Sequence, residues 1–215
     1  MSEHRISEAA RIQQLEMQLA TAHRQLGAAV LQASIKDLEI HTLRKQTELD
    51  PKTGVLNSSA FIEKAQKLIG YQHREHERGT SHVLAFLDID DFKKLNTALG
   101  ETVADERVLL PFVSILKSRV REDDLVGRFG GEEFTLLLRN TDADHAKLVL
   151  SDILQGINTL PIEGWDQPVG ASVGMLEVSQ GTSVLDALNK VNSAEHLAKQ
   201  NGKNRIEEWL PNMGV

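Results

Sequence analysis

The string Arg128-Phe129-Gly130-Gly131-Glu132-Glu133-Phe134 constrains this chain more than any other. A Gly-Gly pair supplies the positive φ angles that a two-residue hairpin turn needs, and the apolar runs Leu125-Val126 and Phe134 to Leu138 read as its strands. Two carboxylates therefore sit just past a tight turn. Side chains alternate along a strand, so Glu132 and Glu133 are expected on opposite sides, with only one facing a given site directly. A second acidic group, Asp88-Ile89-Asp90-Asp91, closes the apolar run Val83 to Leu87. Carboxylates gathered by a strand end and a neighbouring hairpin make a hard oxygen site suited to Mg²⁺, which can carry nucleotide phosphates. Lys93 stands beside them to add positive charge. Alternation allows Asp90 onto the side of Asp88 unless the chain turns first.

Composition excludes several alternatives. Lys plus Arg total 24 and Asp plus Glu total 31, a net charge of −7, which argues against a general nucleic-acid or anionic-membrane binder. Phosphate binding must then fall to local basic residues. The chain has no cysteine, so a disulfide framework, a thiolate metal site and a Cys nucleophile are all ruled out. No apolar run approaches the roughly 18 residues of a membrane span, and the N-terminus lacks a signal-peptide apolar region. The expectation is a soluble, cytoplasmic protein.

The first 47 residues hold no proline and one glycine. Their heptad seam runs Ile12, Leu15, Leu19, Ala22, Leu26, Ala29, Ala33, Lys36, Ile40, Leu43, apolar at all but Lys36, and predicts a coiled-coil helix about 60 Å long. The alternative is an amphipathic helix folded back on its own domain. Asp50-Pro51 ends the segment, because the residue before proline avoids helical geometry. Residues 1–48 are thus expected to be a dimerisation helix and residues 49–215 a single domain.

Within that domain the pattern predicts a helix from Ser58 to about His76, a strand Val83 to Leu87, and helices from about Asp91 to Leu99 and Asp105 to Arg119. The hairpin follows, then a helix Asp142 to Ile157, a strand Gly170 to Val178, a helix Ser183 to Gln200 and a short strand at Arg205 to Trp209. The order β-α-α-β-β-α-β-α-β implies an α+β fold, with a central antiparallel or mixed sheet flanked by helices. His73 and His76 have the spacing of a metal pair, but their charged surroundings fit a solvated loop better.

Six strings together give the chain a resemblance to a known family: D-x-x-T-G-x-L-N at Asp50 to Asn57, L-D-I-D-x-F-K-x-L-N at Leu87 to Asn96, R-x-x-D at Arg121 to Asp124, GGEEF at Gly130 to Phe134, S-V-G at Ser172 to Gly174 and A-K-x-x-G-K-N at Ala198 to Asn204. In this order and spacing they resemble the GGDEF domain of diguanylate cyclases, and they cover residues 49 to 209. The resemblance implies the palm-like sheet of nucleotide cyclases and the condensation of two GTP into cyclic di-GMP with release of pyrophosphate. It implies two Mg²⁺ (or Mn²⁺) per active site, held by the Asp88 carboxylate, the Ile89 carbonyl and Glu132, with Glu132 also a general base and Glu133 a further catalytic acid. Asn96 and Asp105 would read the guanine edge; locally, both also suit helix termini. Lys93, Lys199, Lys203 and the backbone amides of Asp91 and Phe92 would hold phosphates. Arg121 and Asp124 match an inhibitory site for the product, and Arg128 has no assigned role.

The chain departs from the family pattern at Lys52, where a leucine is usual, at Ser58-Ser59, where two arginines are usual, and at Thr97, Glu101 and Ala104. None of these removes a proposed metal ligand. The implied enzyme works as a homodimer through the coiled coil, with an upstream sensor or regulatory protein as a further partner. A catalytically weak domain that senses cyclic di-GMP, or an adaptor that only dimerises, is the alternative.

Overall fold

The computed structural model describes residues 2–46, 48–70, 81–179 and 181–211. His73 and His76, and the helix expected beyond Gly70, lie outside the described residues, as do the side chains of Ile12, Ile40 and Leu43. The chain divides into two compact units, Met1–Thr47 and Glu48–Val215. The first is one helix, α1 (Ser2–Gln46), 45 residues without a break and so about 68 Å long. Its apolar side chains are exposed both on the predicted seam, at Leu15, Leu19 and Leu26, and off it, at Met17, Val30, Leu31 and Ile35. Among the described residues no helix is long and apolar enough to cross a membrane.

Among its described residues the second unit is built on six strands ordered β1-β3-β4-β2-β5-β6. These are β1 (Leu56–Asn57), β2 (His82–Ile89), β3 (Leu125–Gly130), β4 (Glu133–Leu138), β5 (Ala171–Val178) and β6 (Ile206–Glu208). The sheet is mixed: β2 runs antiparallel to β4 and β5, while β1 joins β3 and β6 joins β5 in parallel. The helices are α2 (Ser58–Gly70), α3 (Phe92–Leu99), α4 (Glu101–Ala104), α5 (Leu110–Arg119), α6 (Ala143–Asn158) and α7 (Val184–Gln200).

Every residue of β2 is buried, and alternation sorts them. Val83, Ala85, Leu87 and Ile89 join a core with Phe112, Leu116, Leu150 and Ile153 from α5 and α6. Leu84 and Phe86 join a second core, on the opposite face, with Phe61 and Ala65 of α2 and Ala187, Leu188 and Val191 of α7. Asp88 continues that second row, so its carboxylate emerges on the α7 side. Helices on both faces leave the strand ends as the place where polar groups can meet solvent.

Three local features differ from the sequence expectation. Strand β1 is only two residues long, too short for any periodicity to reveal. The helix expected from Asp105 is preceded by α4 and opens as a π-helical turn, Asp105–Leu109, before α5. Pro111 near the start of α5 accounts for the π turn, since proline cannot donate to the carbonyl four residues back and its ring crowds it. The hairpin turn is one residue later than expected: Gly130 ends β3 and Gly131-Glu132 form the turn, with positive φ at Gly131 alone, 37°. A register irregularity between Arg128 and Gly130 absorbs the shift, and Arg128 Nη2 closes it by donating to Gly131 O at 2.6 Å.

Gly174 shows why S-V-G needs its glycine. A Cβ there would stand 1.9 Å from Val191 O and 2.4 Å from Glu195 N, both on the α7 backbone. Gly174→Ala must therefore push α7 off β5, at a cost of about 3 kcal/mol or more. Urea unfolding of the variant should show that loss; an unchanged midpoint would contradict this packing.

Candidate functional site

Four chain segments converge at one edge of the sheet: the end of β2, the β3–β4 turn, the start of β5 and the end of α7. Asp88 pairs across the strands with Glu133 on β4 and Ser172 on β5. Directly opposed residues share a face, so Glu133 lies on the side of Asp88. Glu132 is placed by the turn instead, and its carbonyl accepts from Ile89 N at 3.3 Å, which ties the turn to the end of β2. Asp88 also feels the charge of Glu132. The turn, and not simple alternation, thus brings Glu132 near enough to the end of β2 for its charge to act on Asp88.

Lys199 closes the cluster from α7. Its Nζ lies 3.0 Å from Asp88 Oδ2 and 2.9 Å from Glu195 Oε1, an ion pair to each. Glu195 is 1% exposed and its other oxygen meets His196 Nδ1 at 2.9 Å. Three carboxylates, those of Asp88, Glu133 and Glu195, thus lie within reach of the Lys199 charge, and two of them are paired with it directly. Burial, with Glu195 and Glu132 adding repulsion, pushes Asp88 up to about 6 against the pull of Lys199. Burial and the charge of Glu132 likewise raise Glu133. For Lys199, burial lowers the pKa but Glu195 and Asp88 outweigh it, and its ammonium is held charged.

Such a charge deficit on buried oxygens fits a divalent cation. The Asp88 and Glu132 carboxylates with the Ile89 carbonyl would give such an ion hard oxygen ligands of the kind Mg²⁺ prefers. Among the described residues no group of three or more His, Cys, Asp or Glu side chains is arranged as a metal cage, so such an ion would depend on a nucleotide for the rest of its shell.

Asp90 has a different role. Its carboxylate is buried and accepts from Ser172 Oγ at 2.7 Å and Asn204 N at 2.9 Å, fastening the loop after α7 to the sheet. Asp91 turns the chain with a positive φ of 56° ahead of α3, and its side chain pairs with Lys203 at 2.8 Å and Lys94 at 2.9 Å. Lys203, itself at φ 63°, is brought to the same edge as Lys199. The first-turn amides at Asp91 and Phe92 open α3 there, where helix geometry leaves donors available to an anion. Lys93 is exposed on the first turn of that helix.

Asn96 and Asp105 flank the turn at Gly100, whose N donates to Asn96 O at 2.9 Å. Asn96 Oδ1 is buried without a hydrogen-bond partner, which suits a group that completes its bonding with a ligand. Asp105, by contrast, is paired with Lys52. Arg121 and Asp124 line a separate cleft of about 440 Å³ with Leu49, Val55, Lys117 and Leu125. Asp124 is already engaged there, accepting from the backbone N of Arg121 and of Arg139, each at 2.8 Å.

Arg128 and Glu195 went unassigned in the sequence. Arg128 bonds Asp50 Oδ1 at 3.1 Å, and the same oxygen accepts from Thr53 N at 2.8 Å, so the D-x-x-T turn braces the hairpin. Glu195 had a visible signal: it is an acid on the stripe Val184, Ala187, Leu188, Val191, Ala194, Ala198 that otherwise faces the core.

Comparison with known proteins identifies a family. Residues 47–205 match the family described as "Diguanylate cyclase, GGDEF domain". The curated relative DgcP of Pseudomonas aeruginosa, a diguanylate cyclase, is 27% identical over 209 residues, 96% of this chain and 31% of its own length. NbdA of the same organism, a cyclic di-GMP phosphodiesterase, is 30% identical over 210 residues, 95% of this chain and 24% of its own. The chain thus spans less than a third of either relative. Among solved structures, diguanylate cyclase SiaD in complex with its activator SiaC, from Pseudomonas aeruginosa, superposes with a TM-score of 0.67 at 31% identity, covering 95% of this chain and 82% of that one. The coiled coil and GGDEF domain of DgcB from Caulobacter crescentus shares the fold, with a TM-score of 0.67 at 21% identity, covering 86% and 98%.

Asp88 carries a stability consequence with a definite sign. Its folded pKa, about 6, exceeds the ordinary 3.8, so folding disfavours the charged form. The penalty is absent below pH 3.8, grows as pH rises and is complete above pH 6, where it amounts to about 3 kcal/mol before relaxation. Asp88→Asn should raise the thermal midpoint by several degrees at pH 8 in metal-free buffer and leave it nearly unchanged at pH 4. Equal shifts at both pH values would contradict the placement of this carboxylate.

Proposed function

Since the chain belongs to the GGDEF family of diguanylate cyclase domains, we propose that it condenses two GTP molecules into cyclic di-GMP and releases pyrophosphate. The observation that supports the reading is Asp88, paired with Lys199 at the end of β2, beside the hairpin turn whose Glu132 carbonyl accepts from Ile89 N. Each 3′-hydroxyl attacks the α-phosphate of the other nucleotide. One P–O bond forms as the bond to the pyrophosphate leaving group breaks, and Glu132 takes the hydroxyl proton. Bound Mg²⁺ or Mn²⁺, two per site and held by Asp88, Ile89 O and Glu132, would lower the pKa of that hydroxyl and offset phosphate charge.

The remaining roles belong to the chain's own groups. With Asp88 given over to a cation, Lys199 would keep its tie to Glu195 and stay within reach of the phosphates. Lys203 and Lys93, with the amides of Asp91 and Phe92, hold the phosphate tail. Asn96 and Asp105 read guanine, and Glu133 adds negative charge beside the reacting hydroxyl.

One domain holds one GTP, so two must face each other about a two-fold axis. The exposed apolar residues of α1 support a parallel pairing of two such helices, which would raise the local concentration of the second domain and set its orientation. A regulatory protein acting on the helices would then switch the sites between aligned and misaligned; that SiaD has been solved with an activator supports such a partner. Product bound at Arg121 and Asp124, in their own cleft, would inhibit. A second reading, a domain that binds cyclic di-GMP without making it, has one finding in its favour: NbdA is a phosphodiesterase.

Purified protein incubated with GTP and Mg²⁺ should yield cyclic di-GMP on chromatography, and Glu132→Gln should lower turnover by about a thousandfold or more. Binding of cyclic di-GMP without pyrophosphate release would select the second reading. Removing residues 1–47 should make specific activity fall steeply on dilution, whereas activity independent of concentration would rule out the helix as the source of pairing.

A further inference from the structure

Lys52 stands on the turn between Asp50 and Gly54, outside the phosphate-binding segments, yet its Nζ lies 2.5 Å from Asp105 Oδ2. The turn that carries it is held in place, because Asp50 Oδ1 accepts from Thr53 N at 2.8 Å and from Arg128 Nη1 at 3.1 Å. The Asp105 side chain is 15% exposed and that of Lys52 42% exposed, so the ammonium reaches inward from solvent to a largely enclosed carboxylate. Asp105 also opens the π-helical turn, a local departure that sets its direction apart from an unbroken helix.

We propose that Lys52 is a base-reading residue, which donates to the O6 of guanine while Asp105 accepts from N1–H and N2–H. This rests on the assignment of Asn96 and Asp105 to the base. Along its pairing edge guanine offers an acceptor at O6, then donors at N1 and N2. An ammonium beside the two oxygens of one carboxylate offers the complement: donor, acceptor, acceptor. Cytosine presents the same sequence of groups when it pairs with guanine. Adenine offers a donor at its 6-position and an acceptor at N1, so it would meet the ammonium with N–H and the carboxylate with a lone pair. Both contacts would be repulsive. The unpartnered Oδ1 of Asn96 across the Gly100 turn remains for a further donor on the base. A leucine at position 52 would leave discrimination to Asn96 and Asp105 alone.

The test is equilibrium binding of nucleoside diphosphates, which cannot release pyrophosphate, to the wild-type chain of residues 1–215 and to its Lys52→Met variant. Lys52 is exposed, so the variant should fold, and its thermal midpoint serves as the check. GDP and IDP both carry O6 and should bind the variant about tenfold more weakly than wild type. The 6-thio analogue of GDP places a weakly accepting sulfur there, and its affinity should change less than threefold on the same substitution. Equal losses for GDP and 6-thio-GDP would overturn the proposal and make Lys52 a brace for Asp105 or a general attractor of phosphate. Unchanged GDP binding, with GDP still preferred over ADP, would overturn the role of Lys52 while leaving the guanine assignment intact. No preference of the wild type for GDP over ADP would overturn both.

Discussion

The architecture of the second unit turns on one buried carboxylate. Asp88 ends a strand that is covered on both faces, and its alternation phase delivers it to the α7 side, where burial and neighbouring acids hold its pKa near 6. A carboxylate in that position is a local electrostatic cost, tolerated because the sheet around it is rigid and its two cores are well packed. Lys199 relieves part of the repulsion, and Glu195, almost fully buried, anchors Lys199 from the opposite side. The site is therefore short of positive charge by construction, an imbalance that a divalent cation would reduce.

The fold supplies this crowding through a few fixed features. The β3–β4 turn is tied to the end of β2 through Glu132 O, braced by Arg128 and backed by the Asp50–Thr53 turn. Asp90, two residues on from Asp88, instead fastens the loop after α7, which sets the position of Lys203. Acids adjacent in sequence thus divide between holding the scaffold and facing the site. The π-helical turn and the Gly100 bend set Asp105 and Asn96 on either side of the turn that follows α3.

Much of this was legible in the sequence. Short, nearly continuous apolar runs located β2, β4 and β5, and the acidic strings at Asp88 and Glu132 marked the strand end and turn that meet. What sequence reasoning could not supply was register. The hairpin turn moved by one residue because Arg128 and the irregularity in β3 set its geometry, and this placed Glu133, not Glu132, in line with Asp88. Strand β1 was too short to show a period, and the π-helical turn depends on Pro111 acting against an otherwise continuous helix. Glu195 could have been found as an acid on an apolar helical stripe, whereas the pairing of Lys52 with Asp105 joins residues 53 positions apart and belongs to tertiary structure alone.

The central claim is that carboxylates from β2 and the hairpin turn share a divalent ion with a guanine nucleotide. A crystal soaked with Mn²⁺ and GDP tests it most directly, through the anomalous signal of the metal. The account predicts a peak within coordinating distance, about 2.1 Å, of oxygens from both Asp88 and Glu132. Manganese held by the diphosphate alone, with either carboxylate turned away and Lys199 still paired to Asp88, would contradict it.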